Sequence, residues 1–184
     1  MALTRRRFLL GVAGGLSALA RGRAGPSSPP TDPEVKAAIV LNLARFTEWP
    51  PGTFSDAGTP LVVCVWGEDP VSHALGGIRG ETAGGHPVVL RAVASPDRLQ
   101  GCHVAYVARS ERRHVAGILT ALRGRPVLSV SDIEGFAAWG GAVSFWTLGG
   151  RVRFDVNPAA LRHAGLKVSS KVLRLARLVE EAAP

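Results

Sequence analysis

Cysteine is scarce in this chain, with two residues in 184. That excludes a disulfide-dense miniprotein and a four-cysteine zinc site. Long apolar runs are missing as well. The stretch Phe8–Ala20 covers 13 residues and includes three glycines, whereas a membrane-spanning helix needs about 20 apolar residues. No later stretch is long and apolar enough to cross a bilayer. Acidic residues are absent from the first 24 positions, which hold Arg5, Arg6, Arg7, Arg21 and Arg23. The net charge of +8 therefore comes largely from one end; without that segment 17 basic residues face 14 acidic ones, leaving +3. A nucleic-acid partner loses its main support.

Catalytic signatures are missing too. There is no Gly-x-Ser-x-Gly elbow. Cys102 and His103 are neighbours in sequence, which in a strand puts their side chains on opposite faces. His73, His86, His103, His114 and His163 are scattered, without the i+2 or i+4 partners that zinc enzymes use. No metal site, cofactor or catalytic residue is expected. The glycines of Gly76-Gly77-Ile78-Arg79-Gly80 and Gly84-Gly85 follow a helical stretch and precede a strand. A phosphate cradle needs the reverse order, so they read as a surface loop.

What is present begins with an export signal. Thr4-Arg5-Arg6-Arg7-Phe8-Leu9-Leu10 opens the short apolar run, the layout of a cleavable signal with a twin-arginine look. Ala18-Leu19-Ala20 and Gly22-Arg23-Ala24 offer small-x-small cleavage sites, after Ala20 or Ala24. The expected division is a signal over 1–24, a flexible spacer over 25–31 and one α/β domain over 32–181. The compartment is an oxidising one, most simply a bacterial periplasm. An apolar content of 46% with 20% charge suits a single globular domain.

Asp32-Pro33 predicts a helix start, with Asp32 as N-cap. Val35, Ala38, Ile39, Asn42, Leu43 and Phe46 then recur at helical spacing, and Val40, Leu41 and Ala44 make a second apolar side. Trp49-Pro50-Pro51 ends the helix. Leu61–Trp66 is a continuous apolar run, as in a strand buried on both faces. Val88–Val93, Val104–Val107 and Val127–Val130 read as further strands, with a helix over Glu111–Leu122. Ala142–Leu148 and Arg151–Val156 flank Gly149-Gly150, a hairpin signal; in the second strand Arg151, Arg153 and Asp155 read as the wet face. Ser169-Ser170 predicts the cap of a last helix, Lys171–Glu181, with Val172, Leu175, Ala176 and Val179 facing the core. The expected fold is a layered single-domain α/β protein with a mixed, mostly parallel sheet flanked by helices and a C-terminal antiparallel hairpin.

Three sets of residues could carry function. Glu68, Asp69, Asp97, Glu111 and Asp132 fall just after the predicted parallel strands, where open α/β sheets bind ligands. Glu68, Asp69 and Asp132 are the candidate ligand pocket, against the alternative that such acids cap helices. Cys64 and Cys102 lie at strands that feed one sheet. In an exported protein a bridge between them is expected, with two separately buried thiols as the alternative. Five aromatics crowd Phe136–Phe154, and exposed ones among them are candidate contact anchors.

Four segments resemble a known family. Asn42-Leu43-Ala44-Arg45-Phe46-Thr47-Glu48-Trp49-Pro50 is similar to the N-terminal signature of the YfiR-like family of exported bacterial repressors. Trp139-Gly140-Gly141-Ala142-Val143-Ser144-Phe145, Gly150-Arg151-Val152-Arg153-Phe154-Asp155-Val156-Asn157 and the ending Ala164–Ala176 resemble three further motifs, in the family's order. Ser144 stands where relatives usually carry asparagine, and a second cysteine pair held by some relatives is missing. The pair Cys64 and Cys102 looks like the family's N-terminal one. The resemblance implies a compact α/β protein, often a dimer, without catalysis. It implies a periplasmic repressor that binds the periplasmic sensor portion of an inner-membrane diguanylate cyclase, lowering cyclic di-GMP and biofilm formation. An outer-membrane lipoprotein can sequester such repressors. Candidate partner contacts are Glu48, Trp49, Trp139, Trp146 and Arg174. The rival expectation is a periplasmic small-ligand sensor using the pocket at Glu68, Asp69 and Asp132.

Overall fold

The structure, a computed structural model, describes residues 29–56 and 58–180. The expected signal at 1–24 and most of the spacer lie outside the described residues.

Helix α1 (Asp32–Arg45) starts one residue earlier than expected. Thr31 is the N-cap, and Asp32 is the first helical residue. The Glu34 carboxylate accepts from the Thr31 backbone N–H at 2.7 Å and its hydroxyl at 2.9 Å. Acceptance of donors at a helix start is what the Ser/Thr-x-x-Glu pattern provides. The buried side of α1 is Ala37, Val40, Leu41, Leu43 and Ala44, together with Lys36. Ala38, Asn42 and Phe46 are exposed, so the second apolar side of the helix is the one that packs.

Strand β1 (Thr47–Glu48) follows, then β2 (Leu61–Trp66), the short helix α2 (Pro70–Ala74), β3 (Thr82–Ala83), β4 (His86–Val93) and β5 (Val104–Val107). Helix α3 (Val115–Leu122) is shorter than expected. Its first part, Arg109–His114, is a 3₁₀ turn. After β6 (Leu128–Ser131) come β7 (Val143–Leu148) and β8 (Arg151–Val156), then α4 (Pro158–His163), β9 (Lys167–Val168), α5 (Ser170–Leu173) and β10 (Arg177–Leu178).

The main sheet runs β10-β8-β7-β6-β5-β2-β4-β3. The central strands β4, β2, β5, β6 and β7 are parallel, and β7 and β8 form the antiparallel hairpin. Gly149 (φ +56°) and Gly150 (φ +72°) make its turn; two successive positive φ values match the strand twist and favour glycine. A separate pair, β1 with β9, places Glu48 opposite Lys167. The fold is thus the mixed α/β sheet flanked by helices that the residue pattern predicts.

Alternation along β2 and β5 divides the core. Leu61, Val63, Val104 and Tyr106 face α1 and meet Val40, Leu43 and Ala44. Cys64, Trp66, Ala105 and Val107 face the other way and meet Val115, Ile118 and Phe136. A disulfide joins Cys64 to Cys102, with Cα atoms 5.8 Å apart.

The C-terminal segment departs from expectation. Helix α5 stops at Leu173, and the chain extends to pair β10 in parallel with β8. Leu175, expected in the core, is 74% exposed. The open edge of β8 explains the change. Val179 N–H donates to Val156 O at 2.9 Å, and Arg177 forks onto Asp155 at 2.8 and 2.7 Å. Pairing to a sheet edge outweighs helix propensity, which is a weak local preference. Asp155, expected on the wet face, is buried. Trp146 donates its indole N–H to Asp155 Oδ1 at 2.9 Å, and the Arg177 guanidinium sits 4.8 Å from the Trp146 ring centre.

Candidate functional site

Strand order reverses between β2 and β5, because the chain passes from β2 to β4 on one side and then to β5 on the other. The carboxyl ends of these strands form the crevice where open α/β sheets bind ligands. Here that crevice is filled by the chain itself. Gly67 closes β2 at φ +81°, and a Cβ there would collide with the Ser110 hydroxyl and the Glu111 side chain. Ser110 Oγ accepts from the Glu68 N–H at 2.9 Å. The turn after β5 therefore lies directly on the turn after β2.

Asp69 is the pin between them. As N-cap of α2 it accepts from Ser72 N–H at 2.7 Å through Oδ1. Its Oδ2 accepts from the Tyr106 hydroxyl at 2.9 Å and from the Arg109 N–H at 2.8 Å. Three donors on one buried carboxylate leave little capacity for a ligand. Burial and the adjacent Asp69 charge push the Tyr106 hydroxyl far above the usual phenol range, so it remains a donor. Glu68 points into solvent beside a groove of about 470 Å³ that also touches Val65, His73, Arg79 and Leu90.

Asp132, at the end of β6, belongs to a second network. Lys36 Nζ lies 2.8 Å from Asp132 Oδ1 and 2.6 Å from Asp32 Oδ1. Arg109 contacts Asp132 Oδ2 at 2.6 Å and its backbone oxygen at 3.2 Å. Thr147 donates to Asp32 Oδ2 at 2.6 Å. The chain Thr147–Asp32–Lys36–Asp132–Arg109 thus ties α1 to β6 and β7. Burial pushes the Asp132 carboxyl up, against the pull of Lys36 and Arg109. Burial opposes ionisation of Asp32 as well, yet donation from Lys36 and Thr147 holds its carboxyl below the usual range. Lys36 is 2% exposed and had no place in the residue-pattern reading. Its signal was available: a single cation between Val35 and Ala37 in an apolar helix needs a buried counter-charge.

Asp69 and Asp132 therefore share one rim, joined through Arg109, while Glu68 stands apart. A cavity of about 350 Å³ beside Asp132 is lined by Arg109, Arg112, Ile133 and Glu134. Among the described residues no group of three His, Cys, Asp or Glu side chains is placed to hold a metal ion. Both carboxylates and the phenol are engaged in internal hydrogen bonds and ion pairs.

The candidate contact residues are spread over separate elements. Glu48 is exposed on β1. Trp49 is half-buried, donates to His103 O at 3.3 Å and meets Phe54 edge-on at 5.9 Å. Trp146 is half-buried under Arg177, and Arg174 is exposed after α5. Trp139 is 45% exposed, in the loop between β6 and β7.

Solved structures share this fold at low identity. One is a conserved domain protein from Vibrio cholerae, with 11% identity, 84% of this chain and 62% of that one covered, and a TM-score of 0.52. A second is the ABC domain in complex with L-Trp from Streptococcus pneumonia, with 9% identity, coverage of 80% and 60%, and a TM-score of 0.53. A third is CD0873 in its ligand-free, open form, a substrate binding protein with adhesive properties from Clostridium difficile; here identity is 11%, coverage 80% and 59%, and the TM-score 0.51. The chain spans about 60% of the length of each, and the likeness is one of fold. The match in sequence is broader: the YfiR/HmsC-like family model covers residues 33–177, from the first turn of α1 into β10, and the chain belongs to that family.

Proposed function

We propose that the protein is a periplasmic regulator that binds the periplasmic sensor portion of an inner-membrane diguanylate cyclase and holds it inactive, lowering cyclic di-GMP. Family membership across the described domain carries this reading. It is a binding function without catalysis, and the internally committed rim of Asp69, Tyr106 and Asp132 accords with that. The twin-arginine-like start and the bridged cysteines suit an exported protein. Sequestration by an outer-membrane lipoprotein and self-association into a homodimer belong to the same reading.

The test is co-purification of the mature domain with solubilised inner membrane, read by mass spectrometry, and then an assay of the recovered cyclase. Recovery of a cyclase with a periplasmic domain, and lower cyclic di-GMP output when the protein is added, is the expected result. Recovery of no cyclase by a folded, disulfide-bonded sample would overturn it.

A second reading has one observation of its own. Two of the fold's solved likenesses are described as bound to L-Trp or as a substrate-binding protein. In that reading the protein senses a small periplasmic ligand, in the cavity beside Asp132 or the groove beside Glu68, and passes the signal to a membrane partner. A ligand that binds only the native state must raise apparent stability. A thermal-shift survey of amino acids and other periplasmic metabolites that finds no stabilisation would sink it.

A further inference from the structure

Basic side chains gather where α3 meets the loop between β6 and β7. Arg112, Arg113 and Arg123 line a groove of about 380 Å³ together with Ala116, Leu119 and Trp139. Arg109 and Arg112 also line the adjoining cavity beside Asp132. Asp132 answers Arg109, but no carboxylate among the described residues lies within ion-pair distance of Arg112 or Arg113. Glu134 is the one other acid on the wall of that cavity. Arg112 and Arg113, both exposed, therefore present positive charge beside an aromatic ring with no carboxylate of the described residues paired to them.

The ring is placed, not loose. Gly135 has φ +82°, and a Cβ there would sit 3.1 Å from the Trp139 six-membered ring. A residue without a Cβ at 135 leaves room for the indole to approach the backbone there. The Arg112 guanidinium lies over the ring, 5.6 Å from its centre. Among the described residues the Trp139 indole N–H has no hydrogen-bond acceptor, whereas those of Trp49 and Trp146 do. An exposed aromatic anchor with a free donor, flanked by arginines, is the composition of a binding hot spot.

We infer that this groove is the docking surface for the partner, and that it takes an acidic polypeptide segment carrying an apolar side chain. The inference rests on the reading of the chain as a binding protein. Charge selects an acidic occupant. Concavity selects a polypeptide over a flat bilayer. The apolar side chain seats on Trp139, Ala116 and Leu119, the carboxylates meet Arg112 and Arg113, and the indole N–H donates to a backbone or side-chain oxygen. Among the five contact candidates the inference selects Trp139.

The probe is a 15-residue peptide of Glu and Asp with one central Phe, titrated into the mature domain. The readout is the Trp139 indole N–H in a ¹H–¹⁵N spectrum, assigned with Trp139→Phe. The acidic peptide should shift that resonance in a salt-sensitive way, a lysine counterpart should not, and Arg112→Glu with Arg113→Glu should weaken the effect at least tenfold. No shift, or a shift with phosphatidylglycerol vesicles and none with the peptide, would overturn the inference. Membrane capture separates the two readings. Capture of a cyclase by wild type that survives both Trp139→Ala and the double arginine change overturns the docking surface and leaves the proposed function standing. A peptide-induced shift without any cyclase recovered supports the surface and removes that function. Unfolding midpoints of each variant confirm that these exposed changes leave the fold intact.

Discussion

The Tyr106 hydroxyl donates to Asp69 Oδ2 across 2.9 Å, and the same oxygen accepts from the Arg109 N–H. One carboxylate thus holds the end of β2, the start of α2 and the end of β5. Tyr106→Phe removes one of its three donors without a change in shape. A hydrogen bond to a charged group is worth about 1.5–3 kcal/mol, so the urea midpoint should fall by a corresponding amount with an unchanged slope. Asp69→Ala should cost more, because it removes the α2 cap and leaves the Tyr106 hydroxyl and Arg109 N–H without their acceptor. Equal costs for the two variants would contradict this arrangement.

Lys36 and Asp132 make a second test. Lys36→Met leaves Asp132 buried with Arg109 as its remaining cation, and Arg109 is 60% exposed on its side chain. Loss of one partner of a buried pair costs about 3–5 kcal/mol, and Arg109 should keep the loss near the lower end. The deficit should shrink as pH falls toward 4. Burial already raises the Asp132 carboxyl above its ordinary value, and removing Lys36 raises it further. In that window the folded state then binds the proton more readily than the unfolded state, so acid relieves the variant. A deficit that stays constant from pH 7 to pH 4.5 would mean that Asp132 is not the group left exposed to the loss.

Parts of this structure were legible in the residues, and the reason differs by element. Leu61–Trp66 showed itself because a strand buried on both faces must be apolar throughout. The hairpin showed itself because Gly149-Gly150 supplies the turn its twist requires. Both signals are local. Residues 171–179 misled because Val172, Leu175, Ala176 and Val179 keep helical spacing, while the winning interaction is a pairing with β8. The Lys36–Asp132 and Asp69–Tyr106 contacts are of the same long-range kind. Of the acids after the strands, Asp69 is a helix cap and also the pin of the crevice, and its partners Tyr106 and Arg109 lie too far along the chain to be read locally. Trp139 could be named as a candidate from composition, but its exposure depends on how Gly135 seats the ring.

The disulfide joins positions 38 apart in sequence. By the chain-entropy model, closing a loop of that size restricts the unfolded chain by about 4 kcal/mol. Cys64→Ala with Cys102→Ala should lower stability by about that amount while leaving the domain folded at 25 °C. The bond is buried, with Cys64 0% and Cys102 4% exposed, and the Arg91 guanidinium lies 3.2 Å from Cys102 Sγ. Reduction of the native protein should therefore be slow and should speed up with urea as the fold opens. Fast reduction in buffer alone would show that the region around β5 opens without global unfolding.

Arg177 holds the last strand by its fork to Asp155 and its stacking on Trp146. Asp155 in turn lifts the Arg177 guanidinium above its usual value by accepting its hydrogen bonds and by its charge. Arg177→Ala should release β10 from β8 and uncover Trp146, giving a red shift and easier acrylamide quenching of its fluorescence. Arg174→Ala, one turn earlier and exposed, should leave both unchanged and serves as the control. If the two variants behave alike, the C-terminal strand is held by its backbone bonds and not by Arg177.

A further pH-sensitive element is the ring stack at the loop that follows β1. Phe54 lies between His86 and His103, with ring centres 3.9 and 4.5 Å away. His103 Nδ1 accepts from the Val62 N–H at 2.9 Å, a bond that a protonated ring cannot make. Burial lowers the His103 imidazole, and the nearby His86 and Arg91 charges add to the effect, against a hydrogen bond with the Thr53 backbone. The folded state therefore keeps His103 neutral in a range where the unfolded chain, titrating near 6.5, takes up a proton. Stability should be full above that value and fall as pH drops below it, because the unfolded state then binds more protons. Thermal midpoints between pH 8 and pH 5.5 measure the slope. In His103→Asn the amide oxygen can still accept from Val62, but the titrating group is gone, so the slope should flatten while the midpoint at pH 8 changes little. A slope that survives the substitution would mean that His103 is not the group whose protonation destabilises the fold.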